Sequence, residues 1–187
     1  MTNTFYTSDT HFYHQALLDK EYRSFSSIDE MNETIISRWN DTVKPLDDVW
    51  HCGDVVMGNV KGNLPILSRL NGILHLVAGN HDSVWSGHRN AHTHLKLWSQ
   101  YFVSVQSFAR HRVERNNFLV SHFPYSGDHT YEERFNQYRL RDEGLPLVHG
   151  HVHSEWKSRG QQLNVGVDVW DFRPVALDEI SSWIRSL

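Results

Sequence analysis

Apolar positions along the chain come in short runs, and the stretches between them carry helical spacing. Phe5 and Tyr6 head a strand over residues 5–9. Residues 27–43 read as a helix, because Ile28, Met31, Ile35 and Trp39 recur at three- and four-residue steps behind a Ser27/Glu30 capping box. A second strand, 49–52, stops at Gly53, a short helix covers 64–70, and a third strand, 73–78, stops at Gly79. Residues 101–108 and 118–121 predict a hairpin joined through the polar turn 111–117. A polar helix follows over 131–143, closed by Gly144, then strands over 145–148 and 163–169. The chain ends in an amphipathic helix over 177–187 carrying Ile180, Trp183 and Ile184. Strands alternating with helices, then hairpins, predict an α/β layered domain with a mixed sheet, one domain over residues 1–187.

Composition narrows the class. An apolar content of 39% suffices for a packed core, and a net charge of -4 argues against binding nucleic acid or anionic lipid by bulk charge alone. The single cysteine, Cys52, excludes an intramolecular disulfide and suits a reducing compartment. With no signal-peptide pattern at the start and no apolar run of about 18 residues, a cytoplasmic protein without membrane contact is expected. The count that changes the picture is histidine, 14 in 187 residues. Imidazole is the commonest metal ligand, so the positions of these residues matter more than their number.

They fall at strand ends. The runs close in Asp9-Thr10-His11, Gly53-Asp54, Gly79-Asn80-His81-Asp82, His122 and His149-Gly150-His151-Val152-His153. In α/β sheets, sites gather beyond the carboxyl ends of strands, so five such ends predict a polynuclear metal centre. An extended backbone would put Asp9 with His11, and His151 with His153, on one side. His51 and His149, just inside the sheet, read as supporting or packing residues. His88, His92 and His94 read as part of a solvated loop, and His75, His111 and His129 carry no signal. Cys52 reads as packing. Trp39, Trp50, Trp170 and Trp183 read as core, and one of Trp85, Trp98 and Trp156 as a candidate cleft wall. Arg23, Arg89, Arg134 and Arg139 are candidate anion contacts.

In this order the five signatures resemble those of the calcineurin-like metallophosphoesterases, over residues 9–153, and the 164–180 segment is similar to small bacterial and phage members. The resemblance implies a four-layer α/β-β-α sandwich with mixed sheets and a dinuclear centre of divalent metal ions. Manganese is the first expectation, with iron, zinc, nickel or cobalt as alternatives. Position by position, Asp9, His11 and His153 would hold one metal, Asn80, His122 and His151 the other, and Asp54 would bridge. His81 matches the catalytic histidine, oriented by Asp82. His14 and Tyr125 are candidate substrate contacts. The implied activity is hydrolysis of a small phosphorylated substrate by a metal-activated hydroxide, diesters ahead of monoesters. A nuclease acting on nucleic acid is the alternative, and a non-catalytic scaffold of the same fold ranks lower because every signature is intact.

Overall fold

Two five-stranded sheets organise the computed structural model, which describes residues 2–20 and 22–187. Sheet one holds β1 (Thr4–Thr7), β2 (Asp48–His51), β3 (Ile73–Val77) and β4 (Ser104–Gln106), which pair in parallel in that order. Parallel neighbours need crossovers, and these are helical. The turn α1 (Ala16–Asp19) and helix α2 (Ile28–Thr42) join β1 to β2. The turn α3 (Val60–Asn63) and a 3-10 helix (Leu64–Arg69) lead to β3, and α4 (Ala91–Trp98) leads to β4.

Sheet two holds β5 (Phe108–Val113), β6 (Asn116–Ser121), β7 (Leu147–His149), β8 (Ser158–Arg159) and β9 (Gln162–Asn164), in the order β5-β6-β7-β9-β8. The chain then returns to sheet one, where β10 (Val175–Ala176) pairs antiparallel with β1 and feeds α5 (Leu177–Arg185). Both sheets are mixed, as the α/β-β-α class requires.

Side-chain alternation on sheet one separates two cores. Phe5, Val49, Leu74 and Leu76 face the helical layer with Met31, Ile35 and Trp39 of α2 and Trp98 of α4. Tyr6 and Val77 face the other way and meet Ala109, Phe118, Val120, Val148 and Leu163 of sheet two, with Ile180 and Ile184 of α5. At roughly 1.5–3 kcal/mol per fully buried large apolar side chain, these layers hold the strand ends in place. The α2 start is the expected cap: the Ser27 hydroxyl accepts the Glu30 N–H at 3.1 Å, while the Glu30 carboxylate accepts from the Ser26 N–H.

Several expectations fail locally. Within residues 64–70 the helix is 3-10 rather than α, Leu64–Arg69, with Pro65 in its first turn. The 101–108 run splits, β4 staying in sheet one and β5 opening sheet two, and the hairpin turn is the Glu114-Arg115 pair between β5 and β6. The strand expected over 163–169 ends at Asn164 and turns into a 3-10 helix, Val167–Val169. The polar helix over 131–143 is absent, and a single 3-10 turn, Asn136–Tyr138, follows Phe135 at φ 60°. Side chains take the place of helical bonds around it: Asp128 accepts the N–H groups of His129 and Arg134, and Arg139 donates to the carbonyls of Pro124, Gly127 and Arg134.

Candidate metal centre

Three strands of sheet one and two of sheet two end at one place. Beyond β1 and β2 the two chains stay together, with N–H groups of Asp9, His11 and Phe12 on the carbonyls of Gly53, Asp54 and Val55. Asp82 ties this pair to the turn after β3. Its fully buried carboxylate accepts the N–H groups of Asp54 (2.9 Å), Val55 (2.9 Å) and Gly79 (2.8 Å). The expected contact with the His81 ring is not made, because these three backbone donors take the carboxylate. From sheet two, the His151 N–H donates to Asp9 Oδ2 at 3.0 Å.

Five of the seven ligand-type residues do not sit on extended backbone. Asp9 (φ 56°), His11 (47°), Asp54 (60°), His151 (71°) and His153 (48°) all occupy the left-handed region. Asp tolerates it better than most residues, yet each such residue costs on the order of 1–3 kcal/mol. Convergence therefore comes from sharp turns rather than strand alternation. Glycine makes one approach feasible: a Cβ at Gly150 would collide with Ser8 Oγ and Asp9 Oδ2.

The turns aim acceptor atoms at one another. Asp54 Oδ2 lies 3.6 Å from His11 Nε2, 3.5 Å from His122 Nε2 and 4.0 Å from His81 Nε2. His122 Nε2 is 3.1 Å from Asn80 Oδ1, and His11 Nε2 is 3.9 Å from Asp9 Oδ1. His122 Nδ1 faces the Cys52 carbonyl at 2.7 Å and must carry the proton, which leaves Nε2 a lone pair. His153 Nδ1 likewise donates to Asp168 at 3.3 Å, leaving Nε2 for the centre. His151 Nε2 meets Asp128 at 3.1 Å, leaving Nδ1. Asp9 Oδ1 and His11 Nε2 are buried with no hydrogen-bond partner. Asp9, His11 and His153 form one set able to hold a cation, and Asp9, Asp54 and His122 another.

Electrostatics point the same way. Burial raises the Asp9 carboxyl and pushes Asp54 and Asp82 up to about 7, with the Asp54 charge adding to the rise at Asp82. Burial holds the His11 imidazole well below its ordinary value and His151 at about 3. His153 alone among these imidazoles rises: burial pulls it down, but the Asp168 bond and the Asp9 charge outweigh it. Buried carboxylates and neutral imidazoles with converging lone pairs fit divalent cations, whose charge offsets the burial of the carboxylates.

Residues without a sequence signature support the ring. Arg23, an expected anion contact, is buried, with its guanidinium on both Asp168 oxygens and the carbonyls of Asp9 and Thr10. Burial would raise Asp168, but Arg23 and His153 hold it well below the carboxylate range. Asp128 is fixed by Arg134 and Arg139, two further expected anion contacts. Asp128, His129 and His151 also cluster, but Arg134 Nη2 lies 2.9 Å from both Asp128 Oδ1 and His129 Nε2, where a cation would go. His51, fully buried, accepts from the Gly53 N–H and meets the Thr10 hydroxyl, and His88 donates to the Asn80 carbonyl.

A cleft of about 330 Å³ opens over the centre, lined among others by His11, His14, His81, His129 and His153. Burial, with His81 next, holds His14 down at about 4. Tyr125 is not among the lining residues, and its hydroxyl donates to the Leu145 carbonyl. No expected tryptophan walls the cleft: Trp85 and Trp98 are buried in the helix-facing core, and Trp156 packs on His149.

The profile of the calcineurin-like phosphoesterase superfamily domain matches residues 3–167. The chain is 37% identical over its whole length to the gene 66 protein of Mycobacterium phage L5, covering 96% of that protein. It is 36% identical to the phage D29 counterpart (100% of this chain, 98% of that one) and 29% to an uncharacterized protein of Methanocaldococcus jannaschii (99% and 93%). A crystal structure of a protein of unknown function from Aquifex aeolicus superposes with a TM-score of 0.75 at 24% identity, over 98% of this chain and 100% of that one.

Proposed function

The chain belongs to the calcineurin-like phosphoesterase superfamily, and from that premise we propose that it hydrolyses phosphate esters at a two-cation centre, small diesters ahead of monoesters. The observation that carries the reading is the ring of lone pairs. Asp9 Oδ1, Asp54 Oδ2, Asn80 Oδ1, His11 Nε2 and His122 Nε2 face one another, and Asp9 Oδ1 and His11 Nε2 are buried with no hydrogen-bond partner. Asp9, His11 and His153 would hold one cation, and Asn80, His122 and His151 the other, with Asp54 between them. Bound divalent cations supply Lewis acidity toward phosphoryl oxygens and make hydroxide available near neutral pH.

The chain's own residues do the rest. Asp82 and the Asp54 carboxylate, which accepts the His81 N–H at 2.9 Å, fix the turn that carries His81. The His81 side chain is 41% exposed and lines the cleft, where it can give the departing alkoxide its proton. Burial lowers its affinity for that proton, and the negative phosphoryl group beside it restores it. A hollow of about 380 Å³ shares Tyr22, Arg23, Ser154 and Asp168 with the cleft, which gives a second ester substituent room and favours diesters.

The test removes the metals and restores manganese, iron, zinc, nickel and cobalt one at a time. Each form is assayed on p-nitrophenyl phosphate and bis-p-nitrophenyl phosphate. Turnover of the diester above the monoester with at least one metal is expected. Inactivity with every metal would overturn the enzymatic reading, and a monoester preference would overturn the diester order.

A further inference from the structure

A third histidine stands at the cleft outside the ligand set. His14 follows the Asp9-Thr10-His11 turn, its N–H on the His11 carbonyl, and its ring reaches back so that Nδ1 lies 3.2 Å from His11 Nδ1. Two imidazole nitrogens at this distance share one proton, so one donates and the other accepts. His11 settles which. Its Nε2 is buried without a partner and faces Asp9 and Asp54, where a cation needs its lone pair, so the His11 proton sits on Nδ1. His14 Nδ1 must then accept, and the His14 proton sits on Nε2. Among the described residues that nitrogen has no hydrogen-bond partner, and the half-buried ring lines the cleft beside His81, with centroids 6.2 Å apart.

We propose that His14 is a substrate-binding residue that presents a fixed neutral Nε2–H donor to a phosphoryl oxygen of the ester. The inference rests on the phosphoesterase reading for its ligand, and the donor direction follows from the His11 tautomer that a bound cation requires. A neutral donor of set direction positions an oxygen without adding a charge that product release would have to undo. The tautomer chain also links the two functions: filling the lone pair of His11 locks the donor of His14.

Two substitutions separate this role from support of His11. His14→Asn keeps an oxygen near Nδ1 that can accept from His11 and removes the cleft donor. His14→Gln places an amide N–H near Nε2 and removes the acceptor beside His11. Metal content after reconstitution with manganese, the Kd for inorganic phosphate by calorimetry and kcat/KM on bis-p-nitrophenyl phosphate are measured for each. His14→Asn should keep wild-type metal content and lose roughly ten- to hundred-fold in phosphate affinity and kcat/KM, the worth of one hydrogen bond to a charged group. His14→Gln should bind manganese more weakly yet keep more of its phosphate affinity once loaded. His14→Asn with wild-type phosphate affinity overturns the proposal even if the wild type turns over diesters. If the wild type is inactive on both esters, the phosphoesterase reading falls and the affinity ratio still decides the role of His14. A wild type that binds no phosphate overturns both.

Discussion

Asp54 must stay ionised in a place where burial pushes its carboxyl up to about 7, with three imidazole Nε2 atoms within 4.0 Å of Oδ2. A carboxylate so placed is stable only with a cation at hand, so Asp54→Asn should lower the content of both metals, read by elemental analysis after reconstitution. His81 is separable from the ligands. His81→Ala should cut turnover by about 10²–10⁴, the worth of a positioned general acid, with metal content nearly intact. Loss of both metals in that variant would show that its role is structural. The convergence of Asp9, His11, Asp54, Asn80 and His122 was legible because each stands in a short signature at a strand end. Asp128 and Asp168 were not, and Arg23 was readable only as an anion contact of unknown partner, because their meaning lies in residues far along the chain: Arg23 meets Asp168 across 145 positions. Tyr125 misled because its loop starts at His122 but carries the hydroxyl to Leu145.

At the scale of elements, the centre depends on turns that clamp one another. Removing the Asp82 carboxylate leaves three buried N–H groups without their acceptor, each worth about 1–3 kcal/mol when unsatisfied. Asp82→Ala should therefore lower the urea midpoint and loosen metal binding together, and unchanged stability would contradict the clamp. Gly150→Ala tests the close approach of sheet two to sheet one. The new methyl group must displace Ser8 or Asp9, so metal affinity should fall more than the fluorescence of the packed tryptophans changes. Elements with strong periodicity, α2 above all, were readable because one apolar face met one core. The stretch 131–143 was not, since its composition suits a helix, and it is held open by Asp128, which lies before it, and by Arg139, whose side chain turns back out of it to Gly127.

Across the whole molecule, a cation opposes the protons on the buried carboxyls, directly at Asp54 and at Asp82 by offsetting the Asp54 charge that raises it. The folded-state values of Asp54 and Asp82 lie above the ordinary carboxylate value, so the stability they contribute to the metal-free protein is complete below about 4 and is lost as pH rises through about 7. A cation supplies the missing charge. The rise in Tm on adding manganese should thus be larger at pH 8 than at pH 5, measured by scanning fluorimetry on the metal-free and loaded protein. A rise independent of pH would mean that these carboxyls are already ionised without metal.

The left-handed backbone at Asp9, His11, Asp54, His151 and His153 has one more consequence. Five residues held in a sparsely populated conformation are not a property that a short peptide can carry away with it. Cut free, a segment such as residues 148–154 would relax toward extended conformers, and its two imidazoles would no longer point at a common centre. The affinity for metal is in this sense stored in the two sheets, which keep these turns wound, and not in the signatures that announce it.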